Sequence, residues 1–266
     1  MLRRIGGAVA VALSLSGAFL VSTGPAGAST SGPPPAPRAA APIGYWLAAG
    51  DGGVFAFDVS FFGSGTTGGA CTFDPQPPST LDARHGCDAI TAAPKGNGYW
   101  LTNLARGPQG IGVVAAPGCT SLNGASGSWV GTASSLSGAG FWVVAANGGV
   151  LGCGDIPAPF GGLATTSLNA SVVGIAATPD REGYWLVSAD GGVFAFGDAS
   201  YGGSMAGTAL DAPVVGIATA PTAQGYWLAA ADGGVFTFGG APFEGSMAGK
   251  QLAAPIVGIA GPSPVA

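Results

Sequence analysis

Charge is what this chain has least of. Only 8 % of its 266 residues are charged, with 8 Lys and Arg against 13 Asp and Glu, and it carries one histidine. A surface for nucleic acid or anionic lipid needs clustered basic side chains, which this composition does not supply. We therefore expect no nucleic-acid partner.

The chain also lacks the motifs of common hydrolases and phosphate-binding proteins. The lone His85 would have to serve any Ser-His-Asp site, and no G-x-S-x-G sequence occurs. Glycine-rich stretches such as Gly202-Gly203 open no segment of helical periodicity, so no phosphate loop is predicted. We expect no cofactor.

Helical periodicity is missing too, and a repeat of about 42 residues is present instead. The repeat is clearest in GYWLVSADGGVFAFG and GYWLAAADGGVFTFG. Its five copies start at Gly44, Gly98, Gly140, Gly183 and Gly225. A period of that length points to a propeller or an array of supersecondary units.

Each repeat predicts a small antiparallel sheet. The apolar run Tyr226–Ala230 has the pattern of a strand buried on both faces. Asp232-Gly233 between two such runs predicts a hairpin. Residues 214–218 predict an inner strand, and a fourth, outer strand fits around residues 243–247.

The two ends of the repeat array predict how the sheets assemble. The first copy lacks the inner strand that precedes the later copies, whereas the last copy ends with a spare one at residues 255–260. Sheets with two apolar faces can bury both by stacking around an axis. The sequence therefore predicts an all-β fold, a five-bladed β-propeller whose ring is closed by the C-terminal strand.

The repeat resembles a known class. Its pattern GYWL…DGGVF-x-FG…GS…PVVGIA, over residues 44–261, looks like the secreted propeller-type repeats of high-GC Gram-positive bacteria. It is distantly similar to the RCC1-like repeat, which also has a DG turn before an aromatic strand and a glycine. Five-bladed lectins of the tachylectin type share the predicted blade number. The resemblance implies a secreted propeller and carries over no ligand residue.

The segment before the repeats predicts an export signal and a linker. Residues 1–28 combine a basic start, an apolar core and an A-x-A site that ends at Ala28. Residues 29–43 are rich in Pro, Ala and Ser, which predicts a semi-stiff spacer. We expect a secreted or cell-wall protein without a transmembrane segment after signal removal; a retained membrane anchor is the alternative. The propeller domain is predicted at 44–266, in repeats 44–97, 98–139, 140–182, 183–224 and 225–266.

Four cysteines in an exported chain predict two disulfides. Three pairings are open. The favoured one joins Cys71 to Cys87 within an insertion of the first repeat, and Cys119 to Cys153 between neighbouring repeats. The alternative is a metal site formed by Cys71, His85 and Cys87, but a closed zinc site needs a fourth ligand that is not obvious. We expect no metal.

Asp or Asn precedes a glycine pair in four repeats, at Asp51, Asn147, Asp190 and Asp232. One interpretation is a ring of carboxylates. The other is a turn, in which the side chain accepts local backbone N–H bonds. Asn147 in one copy, and the absence of either residue type from the second copy, favour the turn.

Two sets of aromatic residues are candidates for ligand contact. The repeat tryptophans lie within apolar strands, where core packing is expected: Trp46, Trp100, Trp142, Trp185 and Trp227. The outer loops carry Phe61, Phe62, Phe160, Tyr201 and Phe243. Alignment of Phe62 with Tyr201 and Phe243 predicts a repeated shallow ligand-binding site, for which wedging between blades is the alternative.

These features predict a secreted, non-catalytic binding or scaffolding module at the cell envelope. Its expected partner is an extracellular glycan or a surface protein, and no catalytic residue is assigned. The alternative is a propeller glycosidase or lyase, which needs two or three carboxylates converging on the central pocket. Most acids here lie in turns, and the only glutamates, Glu182 and Glu244, fall in loops.

Overall fold

The regular secondary structure in the parts of the chain that the structure describes consists of β-strands. The structure, a computed structural model, describes residues 43–62, 89–93, 98–103, 107–112, 128–221 and 225–262. None of these segments forms a helix that could span a membrane. Their fifteen strands are β1 (Tyr45–Ala49), β2 (Val54–Phe57), β3 (Ala89–Ala92), β4 (Gly98–Asn103), β5 (Gly107–Gly112), β6 (Trp129–Ser134), β7 (Gly140–Ala145), β8 (Val150–Gly154), β9 (Val172–Ala177), β10 (Gly183–Ser188), β11 (Val193–Gly197), β12 (Val214–Thr219), β13 (Tyr226–Ala230), β14 (Val235–Phe238) and β15 (Ile256–Ala260).

The described strands form five three-stranded antiparallel sheets in a propeller-like arrangement. Sheet 1 has the order β15-β1-β2, sheet 2 β3-β4-β5, sheet 3 β6-β7-β8, sheet 4 β9-β10-β11 and sheet 5 β12-β13-β14. Sheet 1 takes its strands from opposite ends of the repeat array. In it β15 pairs with β1, so that Trp46 lies opposite Ala260.

The middle strand of each sheet supplies most of the hydrophobic core. Its tryptophan is at most 1 % exposed in all five sheets. The covering residues come from the neighbouring sheet, because each sheet has two apolar faces. The ring of Trp185 lies 5.2 Å from that of Tyr226 in sheet 5, and the ring of Trp227 lies 5.0 Å from that of Tyr45 in sheet 1. The predicted core position of the tryptophans is confirmed.

A glycine in the inner strand lets neighbouring sheets approach backbone to backbone. A Cβ added to Gly174 would lie 3.3 Å from the Cα of Gly216, and one added to Gly216 would lie 3.3 Å from the Cα of Gly258. A Cβ on Gly258 would lie 3.3 Å from the backbone nitrogen of Ile90 in sheet 2. The glycine of the VVGIA motif therefore serves the close packing of β9, β12 and β15.

The Asp-Gly and Asn-Gly positions form the hairpin turns. The side-chain Oδ1 accepts the backbone N–H of the glycine two residues on, at 2.9–3.1 Å, in Asp51, Asn147, Asp190 and Asp232. The glycine between them has φ between 78° and 87°, a conformation that L side chains rarely adopt. The turn interpretation is confirmed.

The fourth strand predicted near residues 243–247 is not formed, so the prediction of a four-stranded unit is wrong. This segment is described and contains no strand. Gly240 and Gly245 have φ of 84° and 135°, which interrupts an extended ladder. The segment is held instead by the hydroxyl of Tyr45, which donates to Gly245 O.

Candidate functional site

Each described loop after the third strand of sheets 3, 4 and 5 is held by a buried tyrosine of another sheet. The Tyr226 hydroxyl donates to Gly203 O at 2.6 Å and accepts from Gly202 N at 3.1 Å. Tyr184 and Tyr45 hold the corresponding loops of sheets 3 and 5 in the same way. Burial raises the pKa of all three phenols, so they remain protonated donors. The loops are therefore fixed in place.

In sheets 1, 4 and 5 the indole N–H of the core tryptophan binds the loop that follows the third strand. The donor and acceptor residues are Trp46 and Ser60 (2.9 Å), Trp185 and Ser200 (2.8 Å), and Trp227 and Pro242 (2.6 Å). The residue after each acceptor is aromatic and strongly exposed: Phe61 by 58 %, Tyr201 by 62 % and Phe243 by 58 %. Sheets 1, 4 and 5 thus present one aromatic side chain each to solvent at equivalent positions.

Phe62 is not the counterpart of Tyr201 and Phe243, and this part of the sequence alignment is wrong. Its ring lies 6.1 Å from that of Trp46 and 6.2 Å from that of Tyr99, so it packs between sheets 1 and 2. The exposed counterpart is Phe61. The motifs SFFG, SYGG and PFEG contain the signal, because their second residue is always aromatic.

Sheet 3 departs from this pattern. The segment from Trp142 to Gly161 is one residue longer than the segment from Trp185 to Gly203. Phe160 takes the packing position that Phe62 has in sheet 1, with its ring 5.9 Å from that of Trp142. The indole nitrogen of Trp142 is buried and has no hydrogen-bond partner, as is also true of Trp100 in sheet 2.

A cleft of about 580 Å³ opens beside the altered loop of sheet 3; we call it the side cleft. Its apolar wall includes Trp142, Leu136 and Phe160, and the latter two are exposed by 49 % and 39 %. Its polar wall includes Ser137, Asp155, Asp180, Arg181 and Glu182. Its volume lies in the range typical of sites for small ligands. No single sequence motif marks it, because its walls come from three separate loops.

The carboxylates of the side cleft are held by local hydrogen bonds. Ser137 donates its hydroxyl to Asp155, which lowers the pKa of that carboxyl group. Thr178 donates its hydroxyl to Asp180 at 2.8 Å, and this bond lowers the pKa of Asp180. Burial lowers the pKa of Arg181 to about 10, which leaves it positively charged at neutral pH. The cleft therefore combines oriented negative groups with one partly buried cation.

A second cavity, of about 60 Å³, lies where β3, β6, β9, β12 and β15 come together; we call it the central cavity. Threonine hydroxyls line it, and Thr91 Oγ1 lies 2.6 Å from Thr132 Oγ1. Arg181 is the charged residue among its described lining, which contains no carboxylate. The converging acids that the glycosidase or lyase alternative requires are therefore not found among the described residues of this cavity.

Several predicted features fall outside the described residues. These are the signal peptide 1–28, the linker up to residue 42, Cys71, His85, Cys87 and Cys119. Cys153 lies in β8 opposite Phe141. The disulfide pairing therefore stays a prediction. Within the described part of the chain, no group of three or more His, Cys, Asp or Glu side chains could hold a metal ion.

The geometry defines the class of this protein as an all-β protein of repeated three-stranded sheets. No family model matches the chain, and no curated protein matches it.

Proposed function

We propose that the five sheets are the blades of a closed five-bladed β-propeller, completed where the C-terminal strand joins the first repeat. The pairing of β15 with β1 supports this, and so does the contact of Gly258 with Ile90 in sheet 2. Tyr45 holds the last loop as Tyr226 holds the loop of sheet 4. The contact that links two consecutive sheets therefore also links the last sheet to the first.

Truncation tests the closed ring. Deleting residues 255–266 removes β15 and with it the buried Ile256 and Ile259, each worth roughly 1.5–3 kcal/mol. A domain is stable by only about 5–15 kcal/mol, and the exposed edge of β1 favours aggregation. We expect loss of the cooperative melt and of solubility, with deletion of residues 263–266 as the control. A soluble truncation that melts within a few degrees of the parent would contradict the ring.

We propose that this propeller is a secreted, non-catalytic module that binds glycans at the cell envelope. The observation that carries the proposal is the trio Phe61, Tyr201 and Phe243, at equivalent loop positions on three sheets. Loops held by a rigid scaffold carry a disproportionate share of binding residues, and aromatic side chains are enriched at interfaces. A flat ring suits the C–H face of a sugar, and repetition of the site suits a polymer with repeated units through multivalent binding.

The test is a glycan array, together with cell-wall fragments, on the mature protein. The triple variant Phe61→Ala, Tyr201→Ala, Phe243→Ala is expected to lose binding while keeping its melting temperature. Leu151→Ala is the matched control, because it removes an exposed apolar side chain elsewhere. Unchanged binding by the triple variant would refute the role of these loops. If the protein binds to cells and protease treatment of those cells abolishes the binding, the partner is a surface protein.

Secretion is tested by intact mass. The mature protein is expected to begin at Ser29, after the A-x-A site. A membrane-bound species that retains residues 1–28 would contradict it.

A further inference from the structure

We propose that the side cleft of sheet 3 is a subsite for one neutral sugar unit, in which a sugar hydroxyl accepts the indole N–H of Trp142. This subsite rests on the glycan-binding function proposed above. Trp142 is fully buried and lines the side cleft, yet its nitrogen has no partner. Buried N–H groups are almost always hydrogen-bonded, so an unpaired one at a cleft indicates an acceptor from a ligand.

The unpaired indole has a specific cause. In sheets 1, 4 and 5 the same nitrogen donates to a loop carbonyl. In sheet 3 the loop is one residue longer, and its residues Asp155, Pro157 and Phe160 form a wall of the side cleft. The donor is thus directed toward the loop that borders the cleft. Because this nitrogen is closed to solvent, a hydroxyl group reaches it only if that loop moves away from the indole.

A second unpaired donor belongs to Arg181, which lines both the side cleft and the central cavity. The Nε atom of Arg181 is buried without a partner, while its Nη1 donates to Thr178 O at 2.8 Å. Arg181 also has φ of 67°, a conformation that costs energy for a side chain of this size. The hydrogen bond to Thr178 O holds the guanidinium in its place.

The carboxylates decide the charge of the ligand. Asp155 accepts from Ser137, and Asp180 accepts from Thr178 and from the backbone N–H of Glu182. A carboxylate has about four lone-pair sites, so both groups keep capacity to accept from a ligand. An anion is repelled by these groups and by Glu182. A cation does not supply an acceptor for the two unpaired N–H donors, which are the indole of Trp142 and Nε of Arg181. A sugar hydroxyl both donates to a carboxylate and accepts from an N–H, and it carries no charge.

The apolar wall fits the same ligand. The exposed parts of Phe160 and Leu136 offer a surface for the C–H face of a pyranose or furanose ring. Apolar lining with a few oriented polar groups is the usual composition of a small-ligand site.

The experiment follows the indole N–H signals of protein labelled with ¹⁵N-tryptophan. The Trp142 signal is assigned with Trp142→Phe, and glucose, galactose, arabinose and N-acetylglucosamine are the probes, with n-butylamine as the cationic probe. At least one sugar is expected to move the Trp142 signal downfield and to leave the Trp185 signal in place. If no sugar moves it, or only n-butylamine does, the proposal is overturned.

Variants separate this subsite from the loop aromatics. Asp155→Asn and Phe160→Ala are each expected to raise the dissociation constant of the sugar about tenfold, as measured by titration of the Trp142 signal. Phe243→Ala leaves it unchanged, because Phe243 lies in the loop of another sheet. Unchanged binding by both cleft variants would overturn the assignment. Array binding by the intact protein without any Trp142 shift would overturn the subsite alone, whereas no binding in either assay would overturn both proposals.

Discussion

Sheets 3 and 4 each bury a tryptophan at the equivalent position, but only in sheet 4 does the indole N–H reach a carbonyl. Trp185 donates to Ser200 O at 2.8 Å, whereas the nitrogen of Trp142 has no partner. Both side chains are at most 1 % exposed. One extra residue in the loop of sheet 3 accounts for the difference.

The comparison teaches that core and loop vary separately in this repeat. The extra residue leaves the tyrosine contact intact, since Tyr184 still binds Gly161 as Tyr226 binds Gly203. The loop is therefore anchored at its end and free to change in between. Differences between repeats, and hence differences in recognition, collect in that part of the loop.

The largest expected effect separates the core of sheet 4 from its loop. Trp185→Ala should lower the free energy of unfolding by about 3–5 kcal/mol, because it leaves a cavity in a closely packed core. Tyr201→Ala should change stability by about 0.5 kcal/mol or less and weaken glycan binding. Chemical denaturation and array binding measure the two effects. A stable Trp185→Ala protein without ligand binding would reverse the roles of the two aromatic sets.

The next effect concerns Cys153, which stands in sheet 3 where sheet 4 has Phe196. Cys153 pairs with Phe141 across the sheet, where sheet 4 has Phe196 opposite Tyr184. If Cys153 is bonded to Cys119, Cys153→Ser should destabilise the domain by about 2–4 kcal/mol. Non-reducing peptide mapping checks the pairing, and a Cys87–Cys119 link would contradict it.

A matched pair of substitutions isolates the indole hydrogen bond. Trp185→Phe and Trp142→Phe remove similar volumes from similar environments, but only the first removes a hydrogen bond. Trp185→Phe should therefore be more destabilising by about 1 kcal/mol. Urea denaturation of both variants measures the difference. Equal losses would show that the carbonyl of Ser200 contributes nothing to the stability of sheet 4.

The smallest effect concerns the hairpin turns, where sheet 4 has Asp190 and sheet 3 has Asn147. The hydroxyl of Ser188, and then the N–H of Gly192, lower the pKa of Asp190 below its ordinary 3.8. A lowered pKa contributes stability above the unfolded value, and this contribution is lost as the pH falls through the folded value. Asp190 is partly exposed, so screening keeps the effect small.

Asp190→Asn should accordingly change the free energy of unfolding by about 0.5 kcal/mol or less at pH 7. It should also reduce the loss of stability as the pH falls below about 4. Denaturation curves at neutral and at acid pH test the prediction, with Asp232→Asn as the control, whose turn has no serine donor in the Ser188 position. A large loss at neutral pH would mean that the charge itself is needed in the turn.

The sequence by itself determined the features that depend on local chemistry. Continuous apolar runs predicted the middle strands with Trp46 and Trp185, and the Asp-Gly pairs predicted the hairpins at Asp51 and Asp232. The first follows from burial of a strand on both faces, and the second from the short reach of an Asp side chain to its own turn. A fivefold repeat makes such signals easy to detect, because each copy repeats them.

Only the tertiary structure decided the features that join distant parts of the chain. Whether Phe61 or Phe62 faces solvent depends on which carbonyl meets the indole of Trp46, fourteen residues earlier. The loop that replaces the predicted fourth strand is bound by Tyr45, two hundred residues away from Gly245. The nitrogen of Trp142 is unpaired where the loop of sheet 3 is one residue longer than the loop of sheet 4. The hydrophobic pattern of a strand shows whether its faces are buried. The distance between a strand side chain and a loop carbonyl is set only when the sheets pack, and it changes when a loop differs in length between repeats.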